Sequence, residues 1–301
     1  MNDNGGCLYA FGRGSFMAFF VLILPGILVF LYYDDIKARV DGISGLPVFH
    51  EMKNEFKTGA DIIGATFARE LQQFYADTIE QRTLISAPGK KGVYWHRAAI
   101  EQELKQKLSR GSQPNAIAYL NYLEQHRDMA VLEMQRTKIP ASITLAQGLL
   151  ETNAGRSILA TKGNNHFGIK CRSRTGFRRD GVIDDNDFNF HSLAIDCMQM
   201  KDDYVWDRFE VYRTAGDSYR RHSLLLQDRR YGWMLHRYEV GGIYRISKSI
   251  YGHYEVPYYA AWSVGLKQSG YATARTYAEI LTLIIETYQL WRIDYEAVVS
   301  K

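Results

Sequence analysis

"IPASITLAQGLLETNAGRSILATKGNNHFGIK", Ile139–Lys170, decides how this chain is read. Its first half is almost entirely small or apolar, with one carboxylate, Glu151, where a helix must run out. Pro140 suits the first turn of a helix. Asn153-Ala154-Gly155 breaks that helix, and Gly155 can adopt the left-handed terminating conformation. From Ala141, the residues Ile143, Ala146 and Leu150 share one face with Leu145 and Leu149 beside them, while Glu151 falls on the flank of Thr144 and Gln147. An anion at a helix C-terminus meets partial negative charge. Apolar walls and that helix end both push a carboxyl pKa upward. A carboxyl kept protonated in a cleft is what glycosidic-bond cleavage requires of its proton donor. A glutamate at a helix end is also an ordinary solvated surface residue, so Glu151 is read through its surroundings.

On the N-terminal side, "IAYLNYLEQHRDMAVLEMQRTK" predicts a helix with Ile117, Leu120, Leu123, Met129, Ala130, Leu132 and Met134 on its apolar stripe. The Ile139-Pro140 pair stops it, because a residue before proline avoids the α region. On the C-terminal side, "CRSRTGFRRDGVIDDNDFNFHS" lacks helical spacing and suits short strands and turns. Helical patterns return at "AGDSYRRHSLLLQ" and in the amphipathic "RTYAEILTLIIETYQLWRID".

The N-terminal region reads differently. Phe16 to Tyr33 is an 18-residue run without a charge, long enough to cross a bilayer as a helix. Pro25-Gly26 within it is tolerated in a membrane span. Arg13 before the run and Asp34-Asp35 after it place the short N-terminus in the cytoplasm. No small-x-small cleavage site comes after it, which disfavours a cleaved signal peptide. The expectation is a single-pass anchor in the inner (cytoplasmic) membrane with the rest of the chain extracytoplasmic. In that compartment Cys171 and Cys197, 26 apart, can form a disulfide, although spacing alone does not decide it.

At 301 residues, with 46% hydrophobic and 23% charged residues, the composition is that of a globular protein. A net charge of +4 is too small and too dispersed to argue for nucleic acid. The 21 tyrosines suit either core packing or a sugar-stacking groove. His166, His191 and His222 lack metal-ligand spacing and Cys171 and Cys197 stand alone, so neither metal nor cofactor is expected.

The run "IPASITLAQ", a glutamate, "AGRS" and "NNHFGIK" closely resembles the signature of bacterial peptidoglycan N-acetylglucosaminidases of glycoside hydrolase family 73, the flagellar and autolysin-type glucosaminidases. The likeness continues through "WDRFEVYRTAGDSYRRHS" (206–223) and "YAAWSVGLKQSGYATARTYAEILTLIIETYQL" (259–290). It implies an α+β, mainly helical, lysozyme-like catalytic domain with a small β-lobe, acting on peptidoglycan glycan strands. It also implies that Glu151 is the general acid, that Asn165, His166 and Phe167 floor the sugar groove, and that Tyr271 contacts substrate. The second carboxylate of the β-lobe is assigned by the resemblance to one of two segments. "IDDND", with Asp184, Asp185 and Asp187, fits by its distance from Glu151. "KDDYVWDRFEVY", with Asp202 and Asp203, fits by the Phe-x-x-Tyr strand that it leads into, and Asp203 is preferred.

The organisation expected is therefore a cytoplasmic N-terminus (1–15), a transmembrane anchor (16–33), a helical stalk or accessory region (34–115) and the glucosaminidase domain (116–296). A long connection, "YGWMLHRYEVGGIYRISKSIYGHYEVPYY", departs from the family pattern and is expected to form a groove wall or a partner surface. Ala274-Arg275 replaces the Asp-Pro that the family tends to show after its Gly-Tyr-Ala-Thr turn. Two other readings remain beside hydrolysis: a lytic transglycosylase, which also needs one glutamate, and a wall-binding protein that has lost catalysis.

Overall fold

The structure, a computed structural model, describes residues 94–174, 183–200, 202, 206–246 and 255–299. The apolar run 16–33 and most of the expected stalk lie outside them. Among the described residues no helix is long and apolar enough to cross a membrane, and no group of His, Cys, Asp or Glu could hold a metal ion.

Two helices lead into the decisive stretch, α1 (Arg97–Lys107) and α2 (Gln113–Thr137). The helix α1 is part of the catalytic-domain core, not of a stalk. Ile100, Leu104 and Leu108 are buried in that core, and Trp95 just before the helix donates its indole N–H to the Tyr288 carbonyl at 2.8 Å. The buried core already includes Trp95, ahead of the boundary expected at residue 116. The helix is polar enough to hide this: only two of its eleven residues are buried.

The buried stripe of α2 also differs from the apolar residues that predict it. Leu120, Leu123, Ala130 and Met134 are inside, but Leu132 is 45% exposed, while Tyr119, Tyr122, His126 and Glu133 are buried. The polar members are satisfied rather than expelled. His126 Nδ1 bonds the Tyr122 carbonyl at 2.8 Å, and Glu133 pairs with Arg136 and Arg220 at 2.8 and 3.2 Å. Lys138, at φ 69°, ends the helix in a left-handed turn ahead of Pro140.

The helix α3 (Ala141–Thr152) is the axis of the fold. Every residue from Ala141 to Leu149 is buried, so it has no solvent face and is not amphipathic. A helix apolar or small on all sides is stable only when enclosed. Its neighbours are α2, α6 (Tyr258–Gln268), α7 (Tyr277–Thr287) and α8 (Trp291–Val299). Gly148 permits the closest approach, since a Cβ there would stand 2.7 Å from the Tyr122 hydroxyl oxygen. The amphipathic C-terminal stretch forms α7 and α8, separated by Gln289 at φ 51°, and α7 is buried on almost every side.

After α3 comes the short α4 (Ile158–Gly163), capped by the Ser157 hydroxyl, which accepts from Ala160 N at 3.1 Å. The β-lobe consists of antiparallel pairs: β1 (Arg172–Ser173) with β2 (Phe188–Asn189), and β3 (Ala194–Gln199) with β4 (Arg208–Tyr212). Cys197 on β3 lies opposite Glu210 on β4 and is disulfide-bonded to Cys171. The helix α5 (Ala215–Leu226) comes after β4, with Thr214 and Asp217 forming a reciprocal cap. The long connection folds as a 3₁₀ turn (Gly232–His236) and a hairpin, β5 (Ile243–Arg245) with β6 (Glu255–Pro257). Its Met234, Tyr238, Ile246 and Val256 belong to the core, so this segment packs the domain from one side.

Candidate active site

Glu151 sits one residue before the last position of α3. The chain leaves the helix there through three successive left-handed residues, Asn153, Ala154 and Gly155, at φ 48°, 58° and 74°. Thr152 secures the exit: its hydroxyl donates to Gly148 O at 2.6 Å and accepts from Gly155 N at 2.7 Å. Glu151 is thereby the first exposed position of an otherwise enclosed helix.

The glycine-rich turn faces it. Asn165 staples this turn to itself and to β4, donating to the carbonyls of Ile169 (3.0 Å) and Glu210 (2.8 Å). Its side-chain oxygen accepts from Phe167 N (3.3 Å) and Ile169 N (3.1 Å). The result holds Gly168 at φ 59°, where a Cβ would lie 3.9 Å from Glu151 Oε2. Glycine is needed there for its left-handed backbone.

The side chains of Asn165, His166 and Phe167, expected at the floor of the groove, are only 0%, 5% and 4% exposed. Asn165 organises the turn. His166 Nδ1 hydrogen-bonds the Tyr122 hydroxyl at 2.9 Å within a cluster of Tyr122, His126 and Tyr219. Phe167 stacks on His222 with ring centres 3.9 Å apart. Burial pushes His166 down to about 4 and His222 down to about 3, the latter helped by Arg221, so both rings are neutral near pH 7.

Tyr271, expected as a substrate contact, lies within electrostatic reach of Glu151. Its ring stacks on Tyr277 at 5.8 Å and meets Tyr231 edge-on at 5.9 Å. Burial first, then the charge of Glu151, raises the Tyr271 hydroxyl well above its ordinary range. Tyr277, raised by burial, Tyr271 and Glu151, accepts a hydrogen bond from Gln147 Nε2 at 2.9 Å. Two buried polar atoms here, the Tyr271 hydroxyl and Gln147 Oε1, have no hydrogen-bond partner among the described residues. Unpaired buried polar atoms of this kind are uncommon.

Glu151 itself keeps contact with solvent on one side and is crowded by protein on the others. Desolvation, and secondly the negative charge of Asp202, push its carboxyl up to about 7. The helix end expected to contribute is not among the causes. Among the described residues no cation or hydrogen-bond donor enters to offset the cost of ionisation.

The acidic segments separate in space. Asp184, Asp185 and Asp187 form a self-capped 3₁₀ turn, and Asp185, whose side chain is 84% exposed, pairs with Arg208 Nε at 3.1 Å. Asp202 is the aspartate whose charge reaches Glu151. Asp203, the preferred second carboxylate, lies outside the described residues. Sequence reasoning does not find Tyr277 or Lys170. Gln147, one turn before Glu151 on the same flank, is a signal for Tyr277, because a buried glutamine demands a polar neighbour.

Residues 127–290, more than half of the chain, match the family model Glucosaminidase, described as mannosyl-glycoprotein endo-beta-N-acetylglucosaminidase. The chain belongs to the glucosaminidase family. The matched span contains Glu151, the Asn165–Gly168 turn, Asp202 and Tyr271, and excludes α1.

Among glucosaminidase relatives, the chain is 28% identical over 156 residues to the exo-glucosaminidase LytG of Bacillus subtilis, covering 51% of this chain and 45% of that protein. It thus spans less than half of that relative's length. Among solved structures, it is similar to the glycoside hydrolase domain of Salmonella typhimurium FlgJ at 20% identity and TM-score 0.37, covering 57% of this chain and 88% of that one. The catalytic domain of the autolysin Auto from Listeria monocytogenes gives 22% identity and TM-score 0.38, with 59% of this chain and 88% of that one covered.

Proposed function

We propose that this glucosaminidase-family protein is a peptidoglycan hydrolase that cleaves the β-1,4 bond following N-acetylglucosamine, with Glu151 as general acid. The observation that carries the reading is the Glu151 carboxyl, pushed up to about 7 at the solvent-reaching end of an enclosed helix. At neutral pH a large share of it is protonated and ready to be given to a leaving glycosidic oxygen. Tyr271, within electrostatic reach of Glu151, is the candidate polar contact beside the reacting bond. In an inverting reaction a second carboxylate ~6.5–9.5 Å from the acid would activate water; in a substrate-assisted one, the N-acetyl group would attack instead. Asp202 or Asp203 is the candidate for either supporting role.

Two family descriptions differ on where a strand is cut, since the family model is named for an endo-acting enzyme and LytG for an exo-acting one. Digestion of purified sacculi separates these. Internal cleavage releases oligomeric muropeptides early, terminal cleavage releases single units, and anhydromuramyl ends would identify a transglycosylase. Glu151→Gln should release nothing above background; a rate near wild type would remove the assignment.

The same proposal includes an extracytoplasmic domain tethered by the apolar run 16–33. The Cys171–Cys197 disulfide supports it, since such bonds persist in oxidising compartments. Protease accessibility in spheroplasts, with and without residues 1–33, tests that placement.

A further inference from the structure

Lys170 closes the glycine-rich turn and is fixed through its backbone. It forms an isolated bridge to Phe209, while the neighbouring Ile169 carbonyl accepts from Glu210 N and Cys171 N donates to Arg208 O, each at 2.9 Å. Cys171 is further tied to β3 by the disulfide. From this anchored stem the ammonium lies 2.8 Å from Asp202 Oδ2, 3.1 Å from Asp207 Oδ2 and 5.6 Å from the Phe209 ring centre. One cation therefore clamps two carboxylates of the loop between β3 and β4.

The Asp207 side chain is only 13% exposed, so that half of the clamp can serve stability, but the Asp202 half does not. The Lys170 and Asp202 side chains are 36% and 53% exposed, and exposed pairs contribute little to folding. Its value lies in what Asp202 faces. Asp202 of this loop raises the Glu151 carboxyl, Glu151 in turn raises Tyr271 ahead of α7 and Tyr277 on α7, and the Gly168 backbone lies opposite. Both phenols are neutral, so Asp202 carries the charge in this set, and its counter-ion is Lys170. We infer that Lys170 is a positioning residue for the reaction proposed above, holding Asp202 beside Glu151 and balancing its charge. Without that balance a second anion near the acid would hold the proton too firmly for efficient transfer at neutral pH.

The test is a carboxyl titration of ¹³C-glutamate-labelled protein by NMR, with the Glu151 signal assigned by its loss in Glu151→Gln. Lys170→Gln keeps hydrogen-bond donors for both aspartates but removes the charge. It should raise the Glu151 midpoint by roughly half a pH unit at low salt, a modest shift because water screens the partners. Lys170→Arg should restore the wild-type midpoint, and Asp202→Asn should lower it. In the Asp202→Asn background, Lys170→Gln should leave the midpoint where it is. The alkaline limb of kcat/KM on sacculi should move with the titration. An unchanged midpoint in Lys170→Gln, or an equal shift with Asp202 present and absent, overturns the inference. A fully active Glu151→Gln overturns the functional reading instead, and the titration distinguishes the two failures.

Discussion

The carboxylate of Asp294, on α8, accepts a hydrogen bond from Ser142 N at 2.8 Å, at the opposite end of the helix that carries Glu151. It also accepts from the Ser142 hydroxyl and, at 2.6 Å, from the Tyr258 hydroxyl. The residue ahead of α3 is Pro140, which has no side-chain hydrogen bond to offer the first turn. A side chain 152 positions away therefore serves as the cap. Asp294→Ala should cost about 2–3 kcal/mol, since it leaves three buried donors unpaired. Urea unfolding monitored by circular dichroism measures it, and Asp294→Asn should recover part of the loss.

Glu151 should weaken the fold that presents it. Its folded pKa of about 7 exceeds the ordinary value of 4.5. A carboxyl raised in the native state binds its proton more readily folded than unfolded. Its contribution is thus fully present below the unfolded pKa and is lost as pH rises through the folded one. Glu151→Gln should accordingly be more stable than wild type at about pH 8 and equal to it at about pH 4. Because one side of the residue is open to screening water, the gain is about 1 kcal/mol. Thermal melts at the two pH values check both halves of the statement.

The same pKa fixes the direction of the activity profile. A proton donor works in its protonated form, so kcat/KM on sacculi should be level on the acid side of about 7 and fall roughly tenfold per pH unit beyond it. His166 and His222, neutral down to about 4 and 3, add no limb near neutrality. A profile that rises through pH 7 would instead assign Glu151 the role of a base.

Much of this arrangement is legible in one segment. Small and apolar residues announce a mostly apolar helix, and Gly155, able to turn left-handed, announces its end just past Glu151. What the segment does not encode is its partners. Asp294 and Tyr277 are remote in sequence, and nothing local distinguishes a capping aspartate from a surface one. The apolar stripe of α2 fails at Leu132 because hydropathy does not foresee that His126 and Glu133 find internal hydrogen bonds. The turn-holding role of Asn165 is likewise not legible locally, because its side chain bonds carbonyls of the turn and of β4. The start of the core at Trp95 is hidden because α1 contributes only Ile100 and Leu104 from a polar helix.

The disulfide gives the final prediction. Cys171–Cys197 closes a loop of 26 positions around β1, β2 and the acidic 3₁₀ turn. Cross-linking a loop of that length restricts the unfolded chain by about 3 kcal/mol. The staple also sits next to Lys170 and opposite Glu210, whose carboxylate gathers His191 N (3.1 Å), the Tyr212 hydroxyl (2.5 Å) and Arg221 Nε (3.1 Å). These bonds hold β4 to α5 independently of the bridge. Cys171→Ser with Cys197→Ser should therefore lower the melting temperature yet leave α2, α3 and α7 folded. Hydrogen exchange should rise first in residues 183–199. Equal acceleration across α3 would show instead that lobe and helical core unfold as one unit.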